Sequence, residues 1–311
     1  MTTITRRALT ASAAFALTLT SIAPAAFADW RAEHPTFRIG LLGGENEADR
    51  LRRNDCMVEQ LKEATGINVE LFPASDYAGV MQGLLAGQLD SASLGASGYA
   101  GIYLQDPEAV EPIFVNLESD GSNGYYAMMY ARADSGIEDL EGMEGHSLAF
   151  ADPNSTSGYL VPKAELEAQG IDIDTYFSNT GFGGGHEQAI TAVLNGQYDA
   201  GVTWTSGQGE ESEGFSRGAL RTAVNNGLLD MNDLRIIWTS NLIPNGPWVL
   251  RKDLPEDLKE IVIGWMENLH ETDRECYEAI SQGEGPGFER TNHEFFENVV
   301  AMRQRELEGS R

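Results

Sequence analysis

Sulfur ligands, histidine and positive charge are all scarce in this 311-residue sequence, which has 2 Cys, 5 His and 21 Lys plus Arg against 48 Asp plus Glu. Cys56 and Cys276 lie far apart with no histidine cluster beside them, so the chain carries neither a zinc motif nor a Cys-x-x-Cys redox pair. No metal is expected, and no cofactor. A formal charge of −27 argues against nucleic acid and anionic lipid as partners. It does not exclude a small anion, because surface charge is screened over about 8 Å at physiological salt and a buried site sets its own local potential. Long apolar runs are also missing. The single run, residues 8–23, is too short to span a membrane.

That run has a different reading. Arg6 and Arg7 precede it, and Ala26-Phe27-Ala28 forms an A-x-A cleavage site before Asp29, so residues 1–28 read as a cleavable secretory signal. Thr5-Arg6-Arg7-Ala8-Leu9 fits a twin-arginine signal as well as an ordinary Sec signal, and the export route stays open. The expected destination is the periplasm or cell surface. Without residues 1–28 the chain would have 283 residues, with 19 basic side chains against 48 acidic. In an oxidising compartment Cys56 and Cys276 can pair, but sequence does not say whether their Cα atoms come within the roughly 4.4–6.8 Å a disulfide needs.

Apolar strand-like segments alternate with helical patterns, which predicts an α/β protein. Strands are expected at 37–42, 67–72, 91–95, 110–116, 125–132, 147–151, 199–203 and 235–239. Helices are expected at 47–65, 77–86, from 97, from 157 to about 168, from 186, and at 257–270, 271–280 and 293–306. Gly66 is placed to cap the first of these. Two flexible stretches, Asp120-Gly121-Ser122-Asn123-Gly124 and Ile243-Pro244-Asn245-Gly246-Pro247, flank a restart of the same pattern. The expected architecture is two lobes, 29–124 plus 243–311 and 125–242, joined by two hinge crossover strands with a ligand cleft between them.

The most informative segment is Asp152-Pro153-Asn154-Ser155-Thr156-Ser157-Gly158, between a strand and a helix. The first N–H groups of a helix lack carbonyl partners and the dipole concentrates positive charge there. Three hydroxyl side chains at that point add donors, giving a site for a small tetrahedral oxyanion; an N-cap with an ST-turn is the alternative. His186 opens another helix after Gly183-Gly184-Gly185 and is placed to donate to an anion or simply to cap. Tyr77 sits at a helix start. Tyr125 and Tyr126 alternate on a strand, so at most one faces the cleft. Trp204 either walls the cleft or packs in the core, and Glu45 at the end of the first strand is the acidic residue nearest it.

Together, DPNSTSGYLVP, GGGHEQAI, ASDYAGVMQGLLAGQLD, DGSNGYY and IPNGPWVLRKDLP, in this order and spacing, resemble the phosphonate-binding proteins of ABC importers, often called PhnD. The resemblance covers nearly all of the chain beyond residue 28 and implies a type II-like two-lobed periplasmic binding protein. It further implies phosphonate oxygens held by Ser155, Thr156, Ser157 and His186, with Tyr77 and Tyr125 closing the site. The implied partners are a small phosphorus oxyanion and a membrane permease–ATPase complex, and the protein is expected to be a monomer and no enzyme. Relatives that bind aminoethylphosphonate carry two carboxylates where this chain has Ser206 and Gly246. An unpaired buried ammonium is costly, so the expected ligand is amine-free: methylphosphonate, another alkylphosphonate, phosphite or phosphate. Glu45 is the exception that would accommodate an amine. A sensor of the same anions is the alternative function, and a secreted phosphonate hydrolase the least favoured.

Overall fold

A computed structural model describes residues 29–309, so the signal reading of residues 1–28 lies outside the described residues. The strands are β1 (Thr36–Leu41), β2 (Asn68–Pro73), β3 (Ser91–Ser93), β4 (Val110–Asn116), β5 (Gly124–Arg132), β6 (Ser147–Phe150), β7 (Asn179–Phe182), β8 (Ala200–Thr205), β9 (Leu234–Thr239), β10 (Ile243–Pro244), β11 (Pro247–Arg251) and β12 (Phe288–Arg290). They form two separate mixed sheets. The first runs β12-β4-β11-β3-β1-β2; the second runs β10-β5-β8-β6-β7, with β9 also on β5. In the first sheet β1 pairs parallel with β2 and β3, while β11 is antiparallel to β3 and β4. In the second, β6 pairs parallel with β7 and β8, and β5 is antiparallel to β8, β9 and β10.

Each sheet is covered on both faces, which is why its strands read as apolar runs rather than strict alternation. One face of the first sheet packs on helices Glu47–Thr65, Glu256–Thr272 and Arg274–Ser281 through Phe37, Ile39, Met57, Leu61, Val262 and Tyr277. The other packs on Tyr77–Leu85, Ala96–Tyr103 and Glu297–Gly309 through Val80, Leu84, Tyr99 and Phe296. The second sheet is sandwiched in the same way by two further clusters, centred on Phe150 and Leu166 and on Tyr130 and Leu220.

The expected α/β, two-lobed architecture is the one found. Four strands (β7, β10, β11 and β12) and three short helices (Trp30–Glu33, Ile173–Tyr176 and Ala219–Asn225) are absent from the sequence reading. The 243–247 stretch, read as a break, runs directly into β11, a central strand of the first sheet. Its prolines do no harm: Pro244 sits in the two-residue edge pairing of β10, and Pro247 begins its strand, where a missing N–H is tolerated. β7 and β12, of four and three residues, are too short to show a period. Helix Ala219–Asn225 is one such short element as well, and Gly218 precedes it as its N-cap.

Cys56 and Cys276 are bonded, with Cα atoms 5.8 Å apart, tying helix Glu47–Thr65 to helix Arg274–Ser281 across 220 residues of chain. Closing so long a loop removes much of the unfolded chain's freedom. Replacing both cysteines by alanine is expected to lower unfolding free energy by about 2–5 kcal/mol, measured by denaturant titration of the oxidised protein and the double variant. A difference under about 0.5 kcal/mol would mean the bridge adds nothing to the fold.

Candidate functional site

The parallel strands β1, β3, β6 and β8 all end toward the space between the sheets, the place where open α/β sheets bind ligands. The loops that follow them enclose a cavity of about 190 Å³. That is well above the roughly 30 Å³ of one water and below the roughly 300–1,000 Å³ of sites for drug-sized ligands. The residues expected from sequence to hold or flank the ligand border it: Tyr77, Tyr125, Ser155, Thr156, Ser157 and His186, together with Glu45 and Trp204. Tyr126 does not; its ring packs on Gly207 instead, as strand alternation requires.

The hydroxyl run starts its helix with a π-helical turn, Thr156–Leu160, continued as Val161–Ala168. Ser155 is the N-cap: its Oγ accepts from the Gly158 N–H at 3.0 Å. Thr156 Oγ1 accepts from the N–H of Ser97, at the start of helix Ala96–Tyr103 in the other lobe, at 2.9 Å. Both hydroxyls thus have a lone pair engaged by an N–H and keep a proton to donate; His186 Nε2, 3.3 Å from Ser155 Oγ, competes for one of them. Ser155, Thr156 and Ser157 are all buried. Capping and donation to a ligand are therefore compatible on the same side chains.

His186 opens helix His186–Leu194 and is buried between two hydroxyls, with Ser155 Oγ 3.3 Å from Nε2 and Thr203 Oγ1 3.1 Å from Nδ1. Burial with no carboxylate beside the ring pushes its pKa down to about 4, so the imidazole is neutral at pH 7. Burial pushes the Tyr77 and Tyr125 phenols upward, which keeps both as O–H donors. Tyr125 adjoins Ser157 and Thr156, and its ring meets Trp204 edge-on at 5.9 Å, so Trp204 serves as cleft wall.

Arginine is what the sequence reading missed. Arg50, Arg53 and Arg217 border the cavity in a chain with few basic residues. Arg50 is buried and donates to the carbonyls of Leu41, Leu42 and Ala74, fixing the loop after β1; burial lowers its pKa from the usual arginine value. Arg53 binds Glu45 at 2.6 Å, so the Glu45 carboxylate is already matched. Arg217 pairs with the buried Glu118, donates to the Ser281 carbonyl at 2.8 Å and lies 4.9 Å over the Trp204 ring. Asn245 donates to the same Glu118 oxygen at 2.9 Å. These arginines come from helix interiors and loops without a motif, so only three-dimensional proximity reveals them.

Where relatives would place two carboxylates, Ser206 is bonded to Ser216 at 2.8 Å, and a Cβ at Gly246 would overlap the carbonyl oxygen of Leu94. Glycine at 246 is thus required by backbone packing, and a carboxylate there would need the strand to move. Among the described residues no group of three His, Cys, Asp or Glu is placed to hold a metal ion. No helix among them is long and apolar enough to cross a membrane.

The lobes meet around the cavity. Gly44 and Gly185 touch backbone to backbone, both at positive φ, so a side chain on either would block the approach. Arg303 donates to the Pro153 carbonyl at 3.0 Å and to Asn154 at 2.8 Å, and Arg217 reaches Ser281 across the gap.

Two lobes enclosing a donor-rich cavity define a solute-binding protein of the periplasmic type. The chain belongs to the family described as "ABC transporter, phosphonate, periplasmic substrate-binding protein", whose model matches residues 39–294. It is 32% identical over 216 residues to the phosphate-import protein PhnD of Mycolicibacterium smegmatis, covering 67% of this chain and 64% of that protein. It is 29% identical to the phosphonates-binding periplasmic protein of Escherichia coli, covering 78% and 69%. Among solved structures, a binding component of a phosphonate ABC transporter from Pseudomonas aeruginosa superposes with TM-score 0.74 at 25% identity, over 87% of both chains. A Prochlorococcus marinus protein solved with methylphosphonate shares the fold, with TM-score 0.73 at 18% identity over 87% of this chain and 98% of that one.

The low His186 pKa makes a pH prediction. Between about pH 4 and the ordinary value near 6.5 the unfolded chain binds a proton that the folded chain does not, so stability contributed by neutral His186 is lost as pH falls through that window. The loss is on the order of 3 kcal/mol. Ligand-free wild type is expected to lose more stability than His186→Asn between pH 7 and 4 in denaturant titrations. Equal losses would show that His186 is not a buried neutral ring.

Proposed function

We propose that this protein is the periplasmic binding component of an importer for small phosphorus oxyanions. One observation carries the reading: two hydroxyls at a buried helix start that borders the cavity each accept an N–H bond, Ser155 from Gly158 and Thr156 from Ser97, and so keep a proton to donate. An acceptor is the partner such donors require, and the helix dipole favours an anionic one. Ser157, Tyr77 and Tyr125 supply further neutral donors. Neutral His186 contributes an N–H, or takes up a proton as a dianion approaches.

Binding works by closure. Residues 29–124 plus 243–311 and 125–242 act as the lobes, hinged near the two crossovers, and a ligand touching both stabilises the closed arrangement. Thr156 links ligand and closure directly, because its acceptor side is held by Ser97 of the other lobe. The closed monomer would then be presented to a permease–ATPase complex. A sensing role would use the same closed surface.

Methylphosphonate, other alkylphosphonates, phosphite and phosphate fit better than aminoethylphosphonate. Glu45 and Glu118 are already paired with Arg53 and Arg217, and the 206 and 246 positions offer no carboxylate, so an ammonium would be buried unmatched. Hydrolysis is disfavoured on the same geometry. Ser155 and His186 resemble a nucleophile and base, yet the ring's other nitrogen meets a threonine hydroxyl rather than a carboxylate, and a pKa of about 4 makes a weak base.

Calorimetric titration of ligand-stripped protein should give tight binding of at least one amine-free phosphorus anion. Thr156→Ala should weaken it by about 1.5–3 kcal/mol, the range for a hydrogen bond to a charged group. Unchanged affinity would remove Thr156 from the site, and preference for aminoethylphosphonate would overturn the amine-free reading.

A further inference from the structure

We propose that Arg303 is a positioning residue for anion binding. From helix Glu297–Gly309 on the first sheet it clasps the turn that feeds the hydroxyl run on the second, and so sets how long an anion is held without touching it. The inference rests on the anion-binding and closure reading above and names a residue that couples the two.

Val299 and Val300 of helix Glu297–Gly309 join Tyr99 in one apolar cluster of the first sheet. Leu160, in the π-helical turn that contains Thr156 and Ser157, enters that same cluster, and Met302 packs against the small cluster that holds Val161. The helix carrying the hydroxyl run thus leans on a helix of the other lobe. Arg303 is buried at this contact. Its Nη1 donates to the Pro153 carbonyl at 3.0 Å and to Glu306 of its own helix at 3.0 Å, and its Nη2 donates to Asn154 Oδ1 at 2.8 Å.

Apolar packing alone would hold the two helices together. A buried guanidinium is costly to desolvate, and a hydrophobic side chain in its place often serves stability as well or better. What the arginine adds is direction: its planar fork reaches two acceptors at once and fixes the turn relative to the facing helix. That turn is stiff. Asp152 Oδ1 accepts the Asn154 N–H at 2.7 Å, the Asp152 carbonyl accepts the Ser155 N–H at 2.9 Å, and Ser155 is the helix cap. By holding Pro153 and Asn154, Arg303 therefore places Ser155, Thr156 and Ser157. Arg303, Pro153 and Asn154 are not among the residues that line the cavity, so the clasp leaves the ligand's own contacts alone. It forms only when the lobes are together. It therefore stabilises the closed complex over the open one and acts on release of the anion, not on its capture.

The test is calorimetry followed by stopped-flow tryptophan fluorescence, with Trp204 and Trp248 on the cavity wall as reporters. Methylphosphonate, phosphite and phosphate are offered to wild type, Arg303→Met, Arg303→Lys and Asn154→Ala. Arg303→Met should release the tightest-binding of the three about 10-fold or more faster than wild type, with the association rate within about 3-fold. Asn154→Ala leaves Arg303 paired with Glu306 and removes one acceptor across the contact, so release should quicken by about 3-fold or more. Arg303→Lys keeps the charge but not the fork, and its release rate should fall between wild type and Arg303→Met. A purely structural role would lower thermal stability without this split between release and association. If Arg303→Met does not fold, Asn154→Ala and Arg303→Lys decide the matter by themselves. Release at the wild-type rate in the variants, or weaker binding carried by slower association, overturns the clasp while leaving the anion reading intact. If none of the three anions binds wild type, both fail.

Discussion

Everything at this site depends on one constraint: donors buried where two lobes meet must find acceptors. The helix that begins at Thr156 has orphan N–H groups and three hydroxyls enclosed by Tyr77, Tyr125 and Trp204. Part of the demand is met internally, by the Ser155 cap. Ser97 donates to Thr156 from the facing lobe. Those bonds consume lone pairs, not protons, so enclosing the hydroxyls between the lobes sharpens the need for an acceptor. In the proposed reading an oxyanion is the acceptor, and the fold holds the two halves of its cage together.

This resolves the apparent mismatch between a chain of net charge −27 and an anionic ligand. The surface charge is spread over solvent-exposed carboxylates and screened there, whereas the cavity wall carries neutral hydroxyls, phenols and an imidazole, plus three arginines. Two of those, Arg53 and Arg217, are cancelled by Glu45 and Glu118. Arg50 gives its hydrogen bonds to carbonyl oxygens. On the proposed reading, selectivity comes from the geometry of neutral donors and from what the paired carboxylates can no longer accept.

The architecture was largely legible because its signals are local. A strand, a run of small hydroxyl residues and a helix at Ser147 to Ala168 state their chemistry within one stretch of chain, and so does the glycine loop before His186. The arginine–carboxylate pairs were not legible, because Arg217 and Glu118 are 99 residues apart and neither belongs to a motif. Cys56 and Cys276 could not be joined from sequence for the same reason. β11 was obscured by local evidence of the wrong kind: Asn245, Gly246 and two prolines signal a turn, while the strand that follows is fixed by pairing with β3 and β4 on either side.

A crystal structure of the protein with methylphosphonate tests the account most directly. The account predicts the phosphonate oxygens within about 3 Å of the Ser155, Thr156 and Ser157 hydroxyls, with Tyr77 and Tyr125 from the facing lobe and hinge completing the shell. A phosphonate bound elsewhere, or at this helix start with no contact from the facing lobe, would contradict it.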